Sequence, residues 1–253
     1  MYHTGMTTYQ LNEVTSSKWQ HISKPAQIAE RRLVSAILDG TFAINSHLPG
    51  ERELAEFLGV TRPTLRETLG RLERDGWVEI NQGKATRVCD YWKEGNLGVL
   101  NTLSRFPEHM PDNFIENLLI ARLAMAPIYT AMAVENAPVE IGSFLAGRHN
   151  LGEDPGHYAH FDWEVHHTLT LLSNNPVFVM ILNGFKDLYL RLAPYYFKIA
   201  SARQHSIHFY RDLAHAAEKG DPNQARILSD MVMRESMIFW QQVKLDLFER
   251  RKP

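Results

Sequence analysis

The segment that most constrains this chain runs from Gly59 to Val88 and reads GVTRPTLRETLGRLERDGWVEINQGKATRV. Thr61 precedes a helical pattern as a good N-cap, Pro63 stands in the first turn where proline is tolerated, and Gly76 ends the pattern. Leucines at i, i+4 and i+7 give the predicted helix a narrow apolar stripe: Leu65, Leu69 and Leu72. The segment therefore predicts an amphipathic helix followed by short extended structure.

Two further helices are predicted before this one, and a hairpin after it. Residues 26–38 carry an apolar side, and the sequence LPGERELAEFLG predicts a short helix that follows Pro49. After Gly76, apolar and polar residues alternate at 78–80 and again at 86–88, on either side of the turn sequence NQGK, which predicts a β-hairpin. The predicted order is therefore helix, helix, helix, hairpin.

A tight GVT turn between two short helices is typical of a helix-turn-helix, whose second helix presents its N-terminal residues to the major groove. The residues in that position are Thr61, Arg62, Thr64 and Arg66. Arg62 and Arg66 share a helix face, and a guanidinium fork matches the O6/N7 pair of guanine. The hairpin tip, Gln82-Gly83-Lys84, suits a wing that reaches phosphate. An ordinary solvated helix with scattered arginines is the alternative, but the ordered combination of turn, Thr/Arg cluster and hairpin tip favours DNA binding.

The composition of the whole chain excludes several classes of protein. The 253 residues are 44% apolar, enough for a sizeable core, and the net charge of -2 means that any DNA contact depends on local placement of cations. The single cysteine, Cys89, cannot form a disulfide within the chain, which fits a reducing compartment. The longest nearly apolar run, Leu123–Val134, is about half of the roughly 20 residues that a membrane span needs, and the N-terminus lacks a secretory signal pattern. These features predict a soluble cytoplasmic protein with no membrane partner.

Beyond Tyr91 the pattern is almost entirely that of amphipathic helices. Prolines and turn sequences separate the predicted helices, which span residues 96–105, 113–135, 138–147, 155–173, 176–199, 203–219 and 222–249. The predicted organisation is a flexible arm over 1–24, a winged helix-turn-helix domain over 25–90, a linker over 91–98 and an all-helical domain over 99–250. The predicted fold class is mainly α, with an α+β winged helix-turn-helix followed by an all-α helical bundle.

The sequence LPGERELAEFLGVTRPTLRETLGRLERDGWVEINQGKATRV resembles the winged helix-turn-helix of GntR-type bacterial transcription regulators at nearly every position. The resemblance implies a homodimer that binds double-stranded DNA at a short palindromic operator. It assigns DNA contacts to Arg52, Thr61, Arg62, Thr64, Arg66, Gln82, Gly83 and Lys84. Pro63 and Gln82 depart from the usual family residues, threonine and histidine, and both departures affect fine operator preference.

An all-helical domain fused to such a domain indicates an effector sensor, and the residues leave two kinds of effector open. In the first, an aspartate and three histidines hold a divalent metal that binds a small carboxylate. Asp162 and His166 stand at i, i+4 and could form half of that site. However, Tyr210 and Val232 stand where the resemblance predicts the remaining histidines. A regulator that responds to a metal-held carboxylate is therefore the alternative reading.

The second kind of effector follows from a resemblance to the fatty-acid-responsive members of the FadR subfamily. It is carried by the segments DNFIENLLIARLAM, NNPVFVMILNGFKDLYLRLAPYYF and HFYRDL. It implies a repressor or activator of fatty acid metabolism genes that binds long-chain acyl-CoA without a metal or cofactor and then releases DNA. The residues it places around the ligand are Arg122, Tyr189, Tyr196, Tyr210, Glu235, Ser236 and Trp240. Met233 and Lys244 depart from the expected glycine and the expected basic position.

An enzyme is the remaining class, for example a thioester hydrolase that uses His166 or His167. The sequence contains no nucleophile elbow, no glycine-rich phosphate loop and no complete metal-ligand set. We therefore expect no catalytic residues, and we expect a sensor of acyl-CoA rather than an enzyme that hydrolyses it.

Overall fold

The computed structural model of the chain describes residues 24–147 and 151–249, with side chains described as far as residue 243. Apart from Lys24, the arm predicted over 1–24 lies outside the described residues. The chain divides into two compact units, with the division between Asp90 and Tyr91. The first unit contains three helices and a small sheet, and the regular secondary structure described in the second unit is all helical. The predicted fold class, a winged helix-turn-helix followed by an all-α domain, is confirmed.

The first unit follows the predicted order of elements. Its helices and strands are α1 (Pro25–Leu38), α2 (Glu51–Leu58), α3 (Arg62–Asp75), β1 (Val78–Glu79) and β2 (Arg87–Val88). Gly59 ends α2 with φ +66° and Gly76 ends α3 with φ +89°, left-handed values that favour glycine. The Thr61 hydroxyl caps α3 by accepting from the backbone N–H of Thr64 at 3.4 Å. Local sequence signals therefore set the ends of the two helices that form the helix-turn-helix.

The sheet contains a pairing that the sequence did not predict. The strands pair antiparallel with Val78 opposite Val88, as expected for the hairpin, although Ile80 and Thr86 lie outside the regular strands. On the other side of β2, the Val88 N–H donates to the Ser46 carbonyl at 2.8 Å, and the Asn45 N–H donates to the Val88 carbonyl at 2.9 Å. The connection between α1 and α2 therefore covers the second edge of β2.

The core of the first unit is formed where the three helices meet the sheet. Its fully or almost fully buried side chains are Leu33, Val34, Ile37, Leu54, Leu58, Leu65, Leu69, Leu72, Trp77 and Val88. The predicted leucine stripe of α3 belongs to this core, so the opposite face of α3 is left exposed. Each fully buried leucine contributes roughly 1.5–3 kcal/mol relative to an exposed one, which fixes the orientation of α3.

Besides a 3-10 helix at Pro107–His109, the second unit contains eight described α-helices. They are α4 (Leu97–Leu103), α5 (Phe114–Asn136), α6 (Pro138–Leu145), α7 (Pro155–Leu172), α8 (Pro176–Gly184), α9 (Lys186–Phe197), α10 (Ala200–Glu218) and α11 (Pro222–Glu249). Most follow the predicted spans to within a few residues. The single helix predicted over 176–199 is wrong, because the chain breaks between α8 and α9 at Phe185.

The break is explained by contacts with α4 that lie far away in sequence. A Cβ atom on Gly184 would stand 2.3 Å from a methyl carbon of Leu97, so only glycine lets the two segments approach this closely. Asn101 then bonds to both sides of the break. Its amide donates to the Gly184 carbonyl at 2.7 Å, and its side-chain oxygen accepts from the Leu188 N–H at 3.1 Å. One side chain thus replaces the backbone hydrogen bonds that the interrupted helix lacks.

Helix α5 is central to the second unit and packs mainly against α11 and α7. Of the described helices, it is the one whose length and apolar composition would allow a membrane crossing. It also supplies buried core residues, among them Ala126, Tyr129 and Ala133. Because the core helix of a soluble protein meets the same length and composition criteria, we interpret α5 as a core helix.

Candidate functional site

The N-terminal end of α3 carries a charged cluster on the exposed surface of the first unit. Arg62 and Arg66 both reach the carboxylate of Glu51, the first residue of α2. Arg66 Nε donates to both carboxylate oxygens, at 3.0 and 2.9 Å, and its Nη2 lies 2.8 Å from Oε2. Arg62 Nη2 donates to Oε2 at 3.3 Å. The helix-turn-helix therefore presents two arginines tied to one acid.

This cluster is exposed, and its charges interact through hydrogen bonds. The hydrogen bond from Arg66 is the main cause that lowers the pKa of Glu51, and the carboxylate raises the pKa of Arg66. Glu51 was missing from the predicted contact set, because at sequence level its position in the first turn of α2 indicated only a favourable interaction with the helix dipole. Its link to α3 depends on how α2 packs, which the sequence pattern does not show.

The other predicted DNA contacts also lie at the surface of the first unit. Arg52 is exposed on α2. The hydroxyls of Thr61 and Thr64 lie 2.9 Å apart at the start of α3. At the hairpin tip Gln82, Gly83 and Lys84 are exposed, and Gly83 takes φ +75°, a left-handed value. These residues form a polar and basic surface whose donors can reach phosphates and base edges.

The second unit contains a largely apolar cavity of about 110 Å³. Helices α5, α7, α9, α10 and α11 all contribute to it, together with Leu182 of α8 and Phe185 at the helix break. Its lining residues are Ile115, Leu118, Leu119, Ala121, Arg122, Met125, Tyr129, Asp162, His166, Leu182, Phe185, Leu188, Tyr189, Leu192, Ala193, Tyr196, Phe197, Ser206, Phe209, Val232, Met233, Ser236 and Trp240. Apolar walls with a few convergent polar groups are characteristic of small-molecule sites.

Five of the seven predicted effector residues line this cavity: Arg122, Tyr189, Tyr196, Ser236 and Trp240. The structure does not bring the other two to its wall. Tyr210 is fully buried, and its hydroxyl donates to Asp162 at 2.6 Å. Glu235 is partly exposed on α11, where its carboxylate lies 2.9 Å from Nδ1 of His205. Met233, which replaces an expected glycine, is buried and lines the cavity, whereas the side chain of Lys244 lies outside the described residues.

The polar groups of the cavity converge on one buried carboxylate, that of Asp162. Its Oδ2 accepts from Arg122 Nη2 at 3.2 Å and from the Tyr189 hydroxyl, and its Oδ1 accepts from Tyr210. The guanidinium of Arg122 also lies over the Tyr189 ring, 5.2 Å from its centroid. Next to this cluster, Nδ1 of His166 is hydrogen bonded to the Tyr129 hydroxyl at 2.8 Å.

Burial and charge together set the protonation of this cluster. Burial opposes ionisation of Asp162, but Arg122 and the donated tyrosine hydroxyls keep the pKa of Asp162 below its usual value. Burial, reinforced by Arg122, lowers the pKa of His166 to about 3, so its ring is neutral near pH 7. Desolvation also raises the pKa of the Tyr189 phenol above its ordinary value. The cluster therefore holds an anion, a cation and neutral hydrogen-bond donors at the cavity wall.

This arrangement bears on the two alternative readings. Both oxygens of Asp162 already accept hydrogen bonds, and within 24–147 and 151–249 no group of three or more His, Cys, Asp or Glu side chains is placed to hold a metal ion. His166 is bonded to a tyrosine rather than to a serine or cysteine nucleophile, and His167 stacks on the ring of Trp163. Both oxygens of Asp162 and the Nδ1 atom of His166 are therefore engaged by protein groups.

Four polar cavity residues were missing from the predicted effector set: Tyr129, Asp162, His166 and Ser206. The sequence pattern indicates Asp162 and His166 as potential metal ligands, and His166 also as a potential hydrolase residue. Tyr129 and Ser206 lie within amphipathic helices, and the sequence pattern there does not distinguish a cavity wall from a packed core. Only the placement of α5 and α10 around the same cavity brings them to the site.

Comparison with known proteins decides the family. The model described as "Bacterial regulatory proteins, gntR family" matches residues 25–88, and the model described as "FadR C-terminal domain" matches residues 89–251. The chain belongs to the gntR family of bacterial regulatory proteins and carries a FadR-type C-terminal domain. It is therefore a DNA-binding regulator and not an enzyme.

Similar proteins cover most of the chain. A "Fatty acid metabolism regulator protein" of Shewanella frigidimarina is 40% identical over 226 residues, which is 88% of this chain and 93% of that protein. One from Shewanella sp. strain MR-7 is 44% identical over 190 residues, covering 75% and 78%. The solved structure titled "Lar controls the expression of the Listeria monocytogenes agr system and mediates virulence" aligns with a TM-score of 0.61 at 16% identity, covering 86% of this chain and 96% of that one, and shows the shared fold.

Replacing Arg66 with alanine is expected to abolish sequence-specific DNA binding while the fold survives, because Arg66 is exposed on the face of α3 that we predict meets the major groove. Loss of a bidentate base contact should lower affinity for the preferred site by about tenfold to a hundredfold per half-site. The measurement is affinity at fixed salt for a site selected from random duplexes, with Arg74→Ala at the far end of α3 as control. Unchanged affinity in a folded Arg66→Ala variant would contradict the proposed docking.

His166 should make stability fall as pH falls. Its pKa of about 3 in the folded protein lies below the ordinary 6.5, so between these values the unfolded chain binds more protons. The free energy of unfolding should therefore fall by about 2 kcal/mol from pH 7.5 to 5 on account of this residue. Chemical unfolding at several pH values should show a flatter dependence for His166→Gln than for the wild type, and His208→Gln, at an exposed position of α10, serves as the control variant. An NMR titration of the His166 ring near pH 6.5 would refute the prediction.

Proposed function

We propose that this protein is a cytoplasmic regulator of fatty acid metabolism genes that binds its operator as a homodimer and is released by long-chain acyl-CoA. The observation that carries the proposal is the apolar cavity of the second unit, with its polar cluster around Asp162. The names of the similar Shewanella proteins support the connection with fatty acid metabolism. In this proposal the effector is held without a metal. The Asp162 carboxylate, which a metal would need as a ligand, already accepts hydrogen bonds from Arg122, Tyr189 and Tyr210.

The chemistry of the cavity suits an acyl thioester. Aliphatic and aromatic side chains line most of its wall and can bury an acyl chain. The hydroxyls of Ser236 and Tyr196 and the indole of Trp240 can meet the polar end of such a ligand, since tyrosine and tryptophan combine apolar rings with a polar group. The Tyr196 and Trp240 rings stack with centroids 5.9 Å apart, which forms a flat aromatic wall.

Chain length should govern affinity. Each buried methylene contributes roughly 0.8 kcal/mol before ordering costs are subtracted, so a long acyl chain gains several kcal/mol over a short one. To release DNA, the ligand must bind one arrangement of the two DNA-binding domains better than another. A shift from 1:99 to 99:1 needs about 5.5 kcal/mol of differential binding, which a long chain can supply and an acetyl group cannot.

A dimer is expected because one winged helix offers few cations. The chain as a whole has a net charge of -2, and Glu51 offsets part of the positive charge on α3. Two domains on one palindrome recover affinity through effective concentration. Sedimentation at micromolar concentration should therefore show a dimer. A monomer with undiminished operator affinity would rule the dimer out.

Calorimetry on chelator-treated protein tests the effector directly. Oleoyl-CoA should bind and release operator DNA in a gel shift, affinity should increase with acyl length, and acetyl-CoA should be nearly inert. Met125→Trp, which adds bulk at the cavity wall, should weaken oleoyl-CoA binding at least about tenfold and leave DNA binding intact, since filled volume cannot hold the chain. Met132→Trp on the same helix, outside the cavity wall, is the matched control.

The opposite results in the same experiments would indicate the alternative function, a regulator that responds to a metal-held small carboxylate. If oleoyl-CoA does not bind the chelator-treated protein, and added zinc or nickel restores a response to a small carboxylate, the effector is a metal-held carboxylate. Hydrolysis of oleoyl-CoA by the purified protein would contradict a purely sensing role.

A further inference from the structure

Glu51 is an acidic residue on the surface that we propose binds DNA, where a negative charge does not increase the affinity for DNA. A carboxylate repels the phosphates of DNA, and affinity for the backbone comes from cations. Yet this carboxylate contacts the two arginines at the start of α3, Arg62 and Arg66. The three side chains together carry a charge of +1 instead of the +2 that the arginines alone would carry. A contribution of Glu51 to DNA binding must therefore come from its effect on Arg62 and Arg66.

The carboxylate engages one particular edge of the Arg66 guanidinium. Nε donates to both oxygens of Glu51, and Nη2 lies 2.8 Å from Oε2. A guanidinium carries five N–H donors in a planar fork. Contact through Nε and one N–H of Nη2 leaves the second N–H of Nη2 and the N–H groups of Nη1 for other acceptors, and these can meet guanine O6 and N7. The carboxylate thus restricts rotation of the fork and leaves a base-reading edge available.

Glu51 is itself well placed to perform this task. It is the first residue of α2, whose following turns are anchored in the core by Leu54, Ala55 and Leu58. Its backbone is therefore fixed relative to α3, which packs on the same core. An exposed arginine otherwise retains much rotamer freedom, and ordering it on DNA costs free energy. A partner on a rigid neighbouring helix reduces that cost before DNA arrives.

We propose that Glu51 is a positioning residue that determines the sequence specificity of DNA binding. It orients the Arg66 fork toward a base and lowers the attraction of the surface for DNA of arbitrary sequence by cancelling one cationic charge. The inference rests on the DNA-binding surface proposed above. Glu51 increases the ratio of the affinity for preferred DNA to the affinity for DNA of arbitrary sequence. It does so while it weakens the electrostatic attraction to both.

The test compares full-length wild type with Glu51→Gln. Preferred sites are first enriched from random duplexes with wild-type protein, and affinities for the best site and for a scrambled duplex are then measured across salt concentrations. Glu51→Gln should bind the scrambled duplex about threefold to tenfold more tightly, with a salt slope steeper by about one. The ratio of preferred to scrambled affinity should fall about tenfold or more.

Two controls separate positioning from a simple change of charge. Glu53→Gln removes the same charge from an exposed residue of the same helical turn, for which the described part of the chain shows no ion pair, and it should leave the ratio unchanged. In an Arg66→Lys background, which keeps the charge but lacks the fork, Glu51→Gln should not reduce the ratio further.

The outcomes are distinct. If Glu53→Gln lowers the ratio as much as Glu51→Gln does, or if Glu51→Gln changes both affinities equally, the positioning role is refuted. If wild-type protein enriches no sequence at all, the proposed DNA-binding surface fails instead. Unchanged thermal midpoints for the variants show that any effect arises at the DNA surface.

Discussion

The second unit depends on the ionised carboxylate of Asp162 inside its core. Such a charge is stable only if it is paired and hydrogen bonded, and here the partners come from three other helices: Arg122 from α5, Tyr189 from α9 and Tyr210 from α10. Removing one partner of a buried charge pair typically destabilises a protein by about 3–5 kcal/mol. The carboxylate therefore requires these helices to hold one arrangement, and that arrangement forms the cavity wall.

The same cluster gives the cavity an asymmetric character. Met125, Leu188 and Phe197 present apolar surface, while Arg122 and Asp162 supply charge at one part of the wall. A ligand that approaches this part meets groups already satisfied by one another, so it gains only if it replaces their hydrogen bonds. An aliphatic chain makes no such demand and is accommodated along the apolar surface. The physical preference is for ligands that are long and apolar over most of their length.

Much of this organisation is visible in the sequence, and the exceptions share a cause. The ends of α2 and α3 follow from Gly59, Thr61 and Gly76, because capping is local. The break at Phe185 was missed, because it depends on a glycine that accepts Leu97 from a distant helix. The pairing of residues 45–48 with β2 was missed for the same reason, since that segment has no strand pattern of its own. Local signals predict elements, and contacts between distant segments modify them.

In the two candidate sites, too, some residues are predictable from the local sequence pattern, and others depend on how the helices pack. Arg62 and Arg66 are predictable because helical spacing alone places them on one face, whereas the link to Glu51 requires the packing of α2 on α3. In the cavity, residues such as Tyr196 and Trp240 came from resemblance rather than from pattern. An aromatic residue on an amphipathic helix has the same periodicity whether it fills a core or faces a ligand. Tyr210 illustrates this, since it turns inward to the carboxylate and away from the cavity wall.

The pairing on both edges of β2 makes this the middle strand of a small three-stranded arrangement. Val88 exchanges hydrogen bonds with the α1–α2 connection, and the Cys89 N–H donates to the Trp77 carbonyl at 2.9 Å. The base of the wing is therefore protected from edge-to-edge pairing with other chains and should exchange its amide hydrogens slowly. The tip around Gly83 lies outside the paired strands. A change in the length or chemistry of the tip should therefore leave the paired base of the wing intact.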